Sequence, residues 1–487
     1  MGRSVVAAVV AAVVLLAASA GFARQASAPM APAADVVAGR TTAAVVRVVY
    51  DITPVAKDIP SQISADIGPD YVFVRRVFGG SKPPQTDLYD YRLRRVISID
   101  EAHHTFVNRS LYAMVDFRYV ESFNRRGLRG MLGAAGLGKS GTDISSPYWD
   151  QQELGIVSPE DASVSADRKA TPGGGVQFTV DGLNGGRFEP SAQSLSPVEM
   201  QGFTHFLREN ATLHPLLVSA IAAGGKIPSE ISLLVGHFSD RKAQTWHLVS
   251  AERLSASFPL SPDDTPVIID DVNPLAEPLR SLLPTMMEAV ASRYNGGPRS
   301  IADYRAALAK AFADGHILQH FLLDNEFQLQ YGLGSMACLN GNPRHDDCSQ
   351  QQDIVAKWKT DPSTMVLIEA FGLEQRDPKA AIEKRGSVPR DGLSNAYMID
   401  LWNGDTMLQH GNLDGAATEI AKAIRGNPYV GGFYKDLGDV FGRSFEPVEE
   451  WLCYDLARAL PGAGDMLVVD GIGKKEKYLE AKFPEFF

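Results

Sequence analysis

The chain has 487 residues, of which 45% are hydrophobic and 22% are charged, a composition typical of folded globular proteins that excludes wholesale disorder. Lys plus Arg total 47 and Asp plus Glu total 58, which gives a net charge of −11 and argues against a protein that binds nucleic acid over its whole surface. The length predicts several structural units, and three cysteines are too few for a disulfide-built scaffold.

The N-terminal segment has the three parts of a secretory signal peptide. Arg3 precedes an apolar run, and Ala18-Ser19-Ala20 matches the A-x-A cleavage pattern. We therefore predict a signal peptide over residues 1–20 and a periplasmic or secreted protein. Cleavage at Ala28 and retention of the segment as an anchor are alternatives. The run is shorter than the roughly 20 residues of a membrane span, so we expect no integral span in the mature chain.

Residues 21–40 are rich in Ala, Pro and Ser, which predicts a flexible linker. A strand-rich α+β domain is predicted over 41–265, with one helix over 197–209. Its strands are predicted from β-branched and aromatic runs. These runs cover residues 45–50, 71–78, 86–99, 105–107, 111–123, 176–180, 187–188, 231–238 and 244–250.

Positive charge is concentrated in the first half of the chain. Residues 71–140 contain twelve Lys/Arg and six Asp/Glu. One interpretation is a solvated sheet face lined by arginines. The alternative is a docking face for an anionic component of the cell envelope.

After residue 265 the apolar residues recur at helical spacing. Helices are predicted over 278–294, 300–312 and 315–330, within a helical domain that covers 266–375. A second helical region follows over 376–487. The fold class is therefore α+β and multi-domain, with a strand-rich front and a helical rear.

Two cysteines bracket a polar, turn-rich segment of the helical half. Cys338 and Cys348 are ten residues apart, and in an oxidising compartment they are the favoured disulfide pair. Cys453 lies in a helical pattern and is interpreted as a small core residue.

A period of 34 residues marks the C-terminal region. Gly404, Ile420 and Ala423 recur one period later as Gly438, Tyr454 and Ala457. Ala416, Ile420 and Ala423 match an A-x3-F-x2-A pattern, and Tyr434, Leu437, Gly438 and Phe441 match W-x2-L-G-x2-Y. Residues 397–462 therefore resemble the tetratricopeptide repeat family, and residues 364–382 are a candidate degenerate repeat. The N-terminal half resembles no family that we recognise.

This resemblance implies paired helices whose concave surface binds a peptide or a partner protein. The family's ligands contact side chains of the first helix in each pair. Asn403, Phe433 and Tyr434 are accordingly the candidate partner-binding residues.

A phosphate-binding motif and a possible metal set compete with this interpretation. Residues 133–140 read GAAGLGKS, a P-loop pattern, but their flanks lack the required strand and helix, which favours a Gly-rich loop. His316, His320 and Asp324 have spacings of i, i+4 and i+8 and would share one helix face, as zinc ligands can. Their apolar neighbours favour a structural role instead.

The sequence indicates no catalytic residue and no cofactor, and it predicts a non-enzymatic protein that binds a protein or peptide. One alternative is a cell-envelope hydrolase with a site in the N-terminal domain, where His237, His247 and Asp240 are candidate residues. Nucleotide binding at residues 133–140 is a second alternative, and an oligomeric envelope scaffold is a third.

Overall fold

The computed structural model describes residues 31–487 apart from 41, 55–58, 81, 136–146, 158–163, 165, 181, 237–240, 268–274, 293–298, 336–350 and 461–465. Contacts divide these residues into two compact units. We call residues 31–268 with 479–487 the sheet unit, and residues 269–478 the helical unit. A strand-rich unit followed by a helical one confirms the predicted α+β fold class.

The sheet unit contains a 12-stranded sheet with the order β12-β6-β5-β4-β3-β2-β1-β11-β10-β9-β8-β7. Among the described residues, β12 and β6 pair in parallel and the other neighbours pair antiparallel. The strands are β1 (Thr42–Thr53), β2 (Pro60–Ile67), β3 (Tyr71–Phe78), β4 (Gln85–Asp90), β5 (Arg95–Asp100), β6 (Thr105–Ser110), β7 (Asp167–Ala170), β8 (Val176–Val180), β9 (Leu183–Ser194), β10 (Lys226–Val235), β11 (Lys242–Ser257) and β12 (Thr265–Val267).

The sheet unit also contains helices. They are α1 (Ala33–Val37), α2 (Leu111–Ala134), α3 (Pro147–Leu154), α4 (Pro197–Asn210) and α5 (Pro215–Gly224). Helix α4 begins with a capping box, in which the side chains of Ser196 and Glu199 each accept a hydrogen bond from the other residue's backbone N–H. Its buried Phe203 and Phe206 belong to the same core as Val48 of β1, so burial of apolar side chains fixes α4 on the sheet.

The structure corrects part of the predicted secondary structure. Residues 111–123 are helical within α2, because Leu111 and Val115 are buried one helical turn apart, whereas their aromatic and β-branched neighbours favoured a strand. The predicted strand 86–99 is a hairpin of β4 and β5. In the predicted linker, residues 33–37 form α1, with Ala33 and Val36 buried.

The helical unit consists of helices joined by short connections. They are α6 (Leu279–Ser292), α7 (Ile301–Ala313), α8 (Ile317–Tyr331), α9 (Gln351–Thr360), α10 (Pro362–Leu373), α11 (Pro378–Gly386), α12 (Tyr397–Gln409), α13 (Leu413–Gly426), α14 (Gly431–Arg443), α15 (Pro447–Ala459) and α16 (Met466–Lys482). Residues 479–482 of α16 and the 3₁₀ turn Pro484–Phe486 are grouped with the sheet unit. Within the described residues, no helix combines the length and apolar character that a membrane span requires.

Candidate functional site

Three successive antiparallel helix pairs form the centre of the helical unit: α10 with α11, α12 with α13, and α14 with α15. Their first helices begin at Pro362, Tyr397 and Gly431, which are 35 and 34 residues apart. The run of packed helices is therefore compatible with helical repeats and extends back over residues 364–382.

Two glycines one period apart bring the helices of a pair close together. A Cβ atom on Gly404 would lie 2.6 Å from Cγ1 of Ile420, and a Cβ atom on Gly438 would lie 2.6 Å from Cε1 of Tyr454. Real Cβ contacts are essentially never this short, so each position requires glycine as long as its neighbour stays in place. The 34-residue correspondence in sequence is thus also a correspondence in packing.

Helix α8 packs against the first helices of these pairs. It contacts α10 and α14, and the ring of Phe321 lies 5.9 Å from that of Trp402 in α12. At its other end, Leu329 approaches Gly432 of α14. The first helices of the pairs are therefore covered, in part, by a helix of the same unit.

The buried carboxylate of Glu326 attaches α8 to α7 and to the two ends of the α12–α13 pair. Asn427 donates a hydrogen bond of 2.8 Å to this carboxylate, and Tyr304, Tyr397 and Asn395 donate further hydrogen bonds to it. Burial, followed by the charge of Glu326, raises the pKa of both tyrosines, so both remain protonated donors. A buried charge satisfied by neutral donors fixes the position of α8.

The three predicted partner-binding residues lie in the interior. Phe433 and Tyr434 are fully buried, and Asn403 is 6% exposed. Tyr434 donates a hydrogen bond of 2.7 Å to the carbonyl of Pro428. Their side chains therefore belong to the core of the helical unit and are not accessible to a partner. Partner binding by this unit stays a prediction.

A partly exposed cluster of carboxylates lies on the same first helices. We call Asp405 of α12 with Asp436 and Asp439 of α14 the acidic cluster. Lys435 is the cation among them, with its Nζ 2.5 Å from Asp439 and 3.8 Å from Asp436. The side chains of Lys435 and Asp436 are each 22% exposed, and that of Asp439 is 34% exposed.

The cluster holds three carboxyl groups and one lysine, and burial favours the protonated form of two of these carboxyl groups. Burial raises the pKa of Asp436 to about 7; Lys435 opposes this increase and Asp439 adds to it. Burial and the neighbouring charge of Asp436 also raise the pKa of Asp405. The sequence analysis did not single out these three aspartates. Residues 361–462 contain sixteen Asp/Glu and ten Lys/Arg, and this local excess of acidic residues could have indicated an acidic surface.

His316, His320 and Asp324 do not share one site. His316 is exposed next to the start of α8, whereas His320 is 3% exposed and its Nδ1 accepts a hydrogen bond from Nε1 of Trp358. Asp324 accepts a hydrogen bond from the backbone N–H of Ser335. Over the described residues, no group of three His, Cys, Asp or Glu side chains could hold a metal ion.

Several predicted features fall wholly or partly outside the described residues. Cys338, Cys348, His237 and Asp240 all lie there, as does the predicted signal peptide over 1–20. His247 is described and lies half-exposed on β11, 3.7 Å from Glu230.

The P-loop pattern begins inside a helix. Gly133 and Ala134 are the last residues of α2, and residues 136–140 lie outside the described part of the chain. A phosphate-binding loop follows a buried strand, so the segment before this pattern differs from that arrangement.

Many arginines of residues 71–140 are neutralised within the sheet unit. Arg118 pairs with Glu209 at 2.7 Å, and Arg125 pairs with Glu121 at 2.8 Å. These pairs explain part of the local positive charge as structural. Two others, Arg92 and Arg94, have their nearest carboxylate partners among the described residues at 3.8 and 3.7 Å.

Comparison with known proteins found no family model that matches the chain, and no similar curated protein or solved structure.

Proposed function

We propose that this is an exported protein whose helical unit is a tetratricopeptide-like array that binds a basic segment of a partner protein. The acidic cluster carries the proposal. Three carboxyl groups on two adjacent first helices share one lysine, and a ligand with lysine or arginine side chains would stabilise their ionised forms.

The raised pKa values of Asp405 and Asp436 support this choice of ligand. Partial burial and mutual repulsion make it costly for both carboxylates to be ionised in the free protein. A guanidinium or ammonium group placed between them would offset the repulsion and form charge-assisted hydrogen bonds. Binding of a cation would therefore be coupled to release of a proton.

The repeat geometry supports the choice of a peptide-binding protein. The 34- and 35-residue spacing of the helix pairs and the close approaches at Gly404 and Gly438 match the sequence features on which the resemblance rests. Because α8 contacts α10 and α14, and because Phe433 and Tyr434 are buried, the proposed contact surface is the acidic cluster.

The experiment is selection of binders from a random peptide library with the full chain, followed by titration of the enriched peptides. The test variant is Asp436→Asn/Asp439→Asn, and the matched control is Glu383→Gln/Asp391→Asn, which removes the same charge from exposed positions of the helical unit. We expect peptides rich in Lys and Arg whose affinity falls about tenfold or more in the test variant and hardly changes in the control. The proposal would be refuted if the enriched peptides lacked basic residues, or if both variants lost the same amount of peptide affinity.

A further inference from the structure

A cavity of about 330 Å³ opens in the sheet unit beside α4. Its walls come from the β2–β3 turn, the β4–β5 turn, one side of α4 and the last residue of the chain. The residues that matter for its chemistry are Tyr91, Arg92, Arg94, His205 and Phe487. A cavity of this size lies at the lower end of the range that holds small ligands.

Two lining residues present buried polar atoms without a partner. His205 is 5% exposed, and within the described chain neither its Nδ1 nor the hydroxyl of Tyr91 makes a hydrogen bond. The two rings stack with centroids 4.1 Å apart. Because both of these polar atoms are buried, the two residues present mainly their stacked rings to the cavity.

The imidazole of His205 is uncharged near neutral pH. Burial, and then the positive charges of Arg208 and Arg94, lower its pKa to about 4. It can therefore either donate or accept a hydrogen bond, and any charge that attracts a ligand must come from other residues.

The positive charge at this cavity comes from two arginines whose ion pairs are long. The Nε of Arg92 lies 3.8 Å from Asp70, and the Nε of Arg94 lies 3.7 Å from Glu480, distances longer than a hydrogen bond. The two side chains are 45% and 34% exposed. Asp70 also lines the cavity and accepts a hydrogen bond of 3.3 Å from Arg40, which in addition pairs with Asp90, so Arg92 shares its carboxylate neighbour with a second arginine.

The apolar part of the wall is aromatic. The ring of Phe487 lies 5.0 Å from that of Tyr112 and has the guanidinium carbon of Arg94 5.3 Å from its centroid. Tyr91, His205 and Phe487 thus supply flat apolar surfaces next to the two guanidinium groups. A ligand that used both features would have an apolar body and an anionic head.

We propose that this cavity binds a small carboxylate with an apolar body, its head held by Arg92 and Arg94 and its body packed against Tyr91, His205 and Phe487. Arginine binds carboxylates with two parallel hydrogen bonds, and the Nη atoms of Arg92 and Arg94 have no hydrogen bond within the described chain that would compete. The site lies within the sheet unit and is independent of the function proposed for the helical unit.

Calorimetric titration of the full chain with phenylacetate and with octanoate tests the proposal, and 2-phenylethanol serves as an uncharged analogue. The test variant is Arg92→Gln. Arg75→Gln is the matched control, because Arg75 is 47% exposed and 3.7 Å from Glu101, a setting similar to that of Arg92 but outside this cavity. We expect at least one carboxylate to bind, the alcohol to bind much more weakly, and the Arg92 variant to lose about tenfold in affinity.

A second variant tests the inner wall. His205→Ala removes the ring against which the apolar body of the ligand packs, and circular dichroism establishes whether the variant is folded. A folded variant should bind the carboxylate more weakly than the native chain does. The proposal is overturned if neither carboxylate binds, if the alcohol binds equally well, or if Arg92→Gln and Arg75→Gln have the same affinity as each other.

Discussion

Replacement of Gly404 by alanine should destabilise the helical unit. The added Cβ would lie 2.6 Å from Cγ1 of Ile420 and 3.2 Å from the carbonyl oxygen of Ala416, so α12 and α13 would have to separate or Ile420 would have to change rotamer. Overpacking of this kind costs about 1–3 kcal/mol. Alanine returns up to about 1 kcal/mol of helix propensity, and the expected net loss in free energy of unfolding is about 1–2 kcal/mol.

The matched control for this change is Gly372→Ala in α10. A Cβ atom there meets no heavy atom within 4 Å, so only the propensity gain remains and stability should rise by about 0.5 kcal/mol. Urea unfolding of both variants, followed by far-UV circular dichroism and by tryptophan fluorescence, measures the difference. If Gly404→Ala is as stable as Gly372→Ala, the close approach of α12 and α13 is wrong, and with it the packing argument for the repeats.

Two further predictions concern charge and the C-terminal residues. Because burial raises the pKa of Asp436 from 3.8 to about 7, the native state binds a proton that the unfolded state releases, and native stability should fall as pH rises from about 4 to 7. Asp436→Asn removes this penalty, so its stability relative to the native chain should rise by up to about 4 kcal/mol between pH 4 and pH 8, and a pH-independent difference in urea unfolding would contradict the assignment. Phe486 is fully buried in the sheet unit, so Phe486→Ala should cost about 3–5 kcal/mol, whereas Phe445→Ala, at a residue 54% exposed, should change little. Equal thermal shifts in these two variants would show that residues 479–487 do not pack as described.

Local sequence signals predicted the elements whose side chains satisfy a simple pattern. The apolar and β-branched run at 71–78 is β3, with the same bounds, and the helix predicted over 197–209 is α4 with one more residue. Residues 111–123 were wrongly predicted because aromatic residues are compatible with both strand and helix, and burial against the rest of the unit decided the outcome. The sequence analysis did not predict strand β2. Its sequence is largely polar, and its strand conformation depends on pairing with β1 on one side and β3 on the other.

For the candidate sites too, some features could be predicted from the sequence and others could not. The sequence predicted the 34-residue period and the importance of Gly404 and Gly438. Close packing of paired helices requires a small residue at the same position of each repeat, and this requirement is visible in the sequence. The packing of α8 against the first helices could not be predicted from the sequence, because Glu326 contacts Asn395 and Asn427 from distant parts of the chain. Likewise, Phe433 and Tyr434 matched the positions expected of ligand-binding side chains, and only the packing of the unit showed them buried.

The sequence by itself therefore determined the order of the two units, most of their strands and helices, and the spacing of the helix pairs, because these depend on periodicity and propensity over short stretches. The tertiary structure alone decided which side chains are accessible. It buried the predicted contact residues, placed Asp405 beside Asp436, and brought Arg92, His205 and Phe487 to one cavity. Exposure and charge pairing depend on contacts between residues far apart in the chain, and no local pattern encodes such contacts.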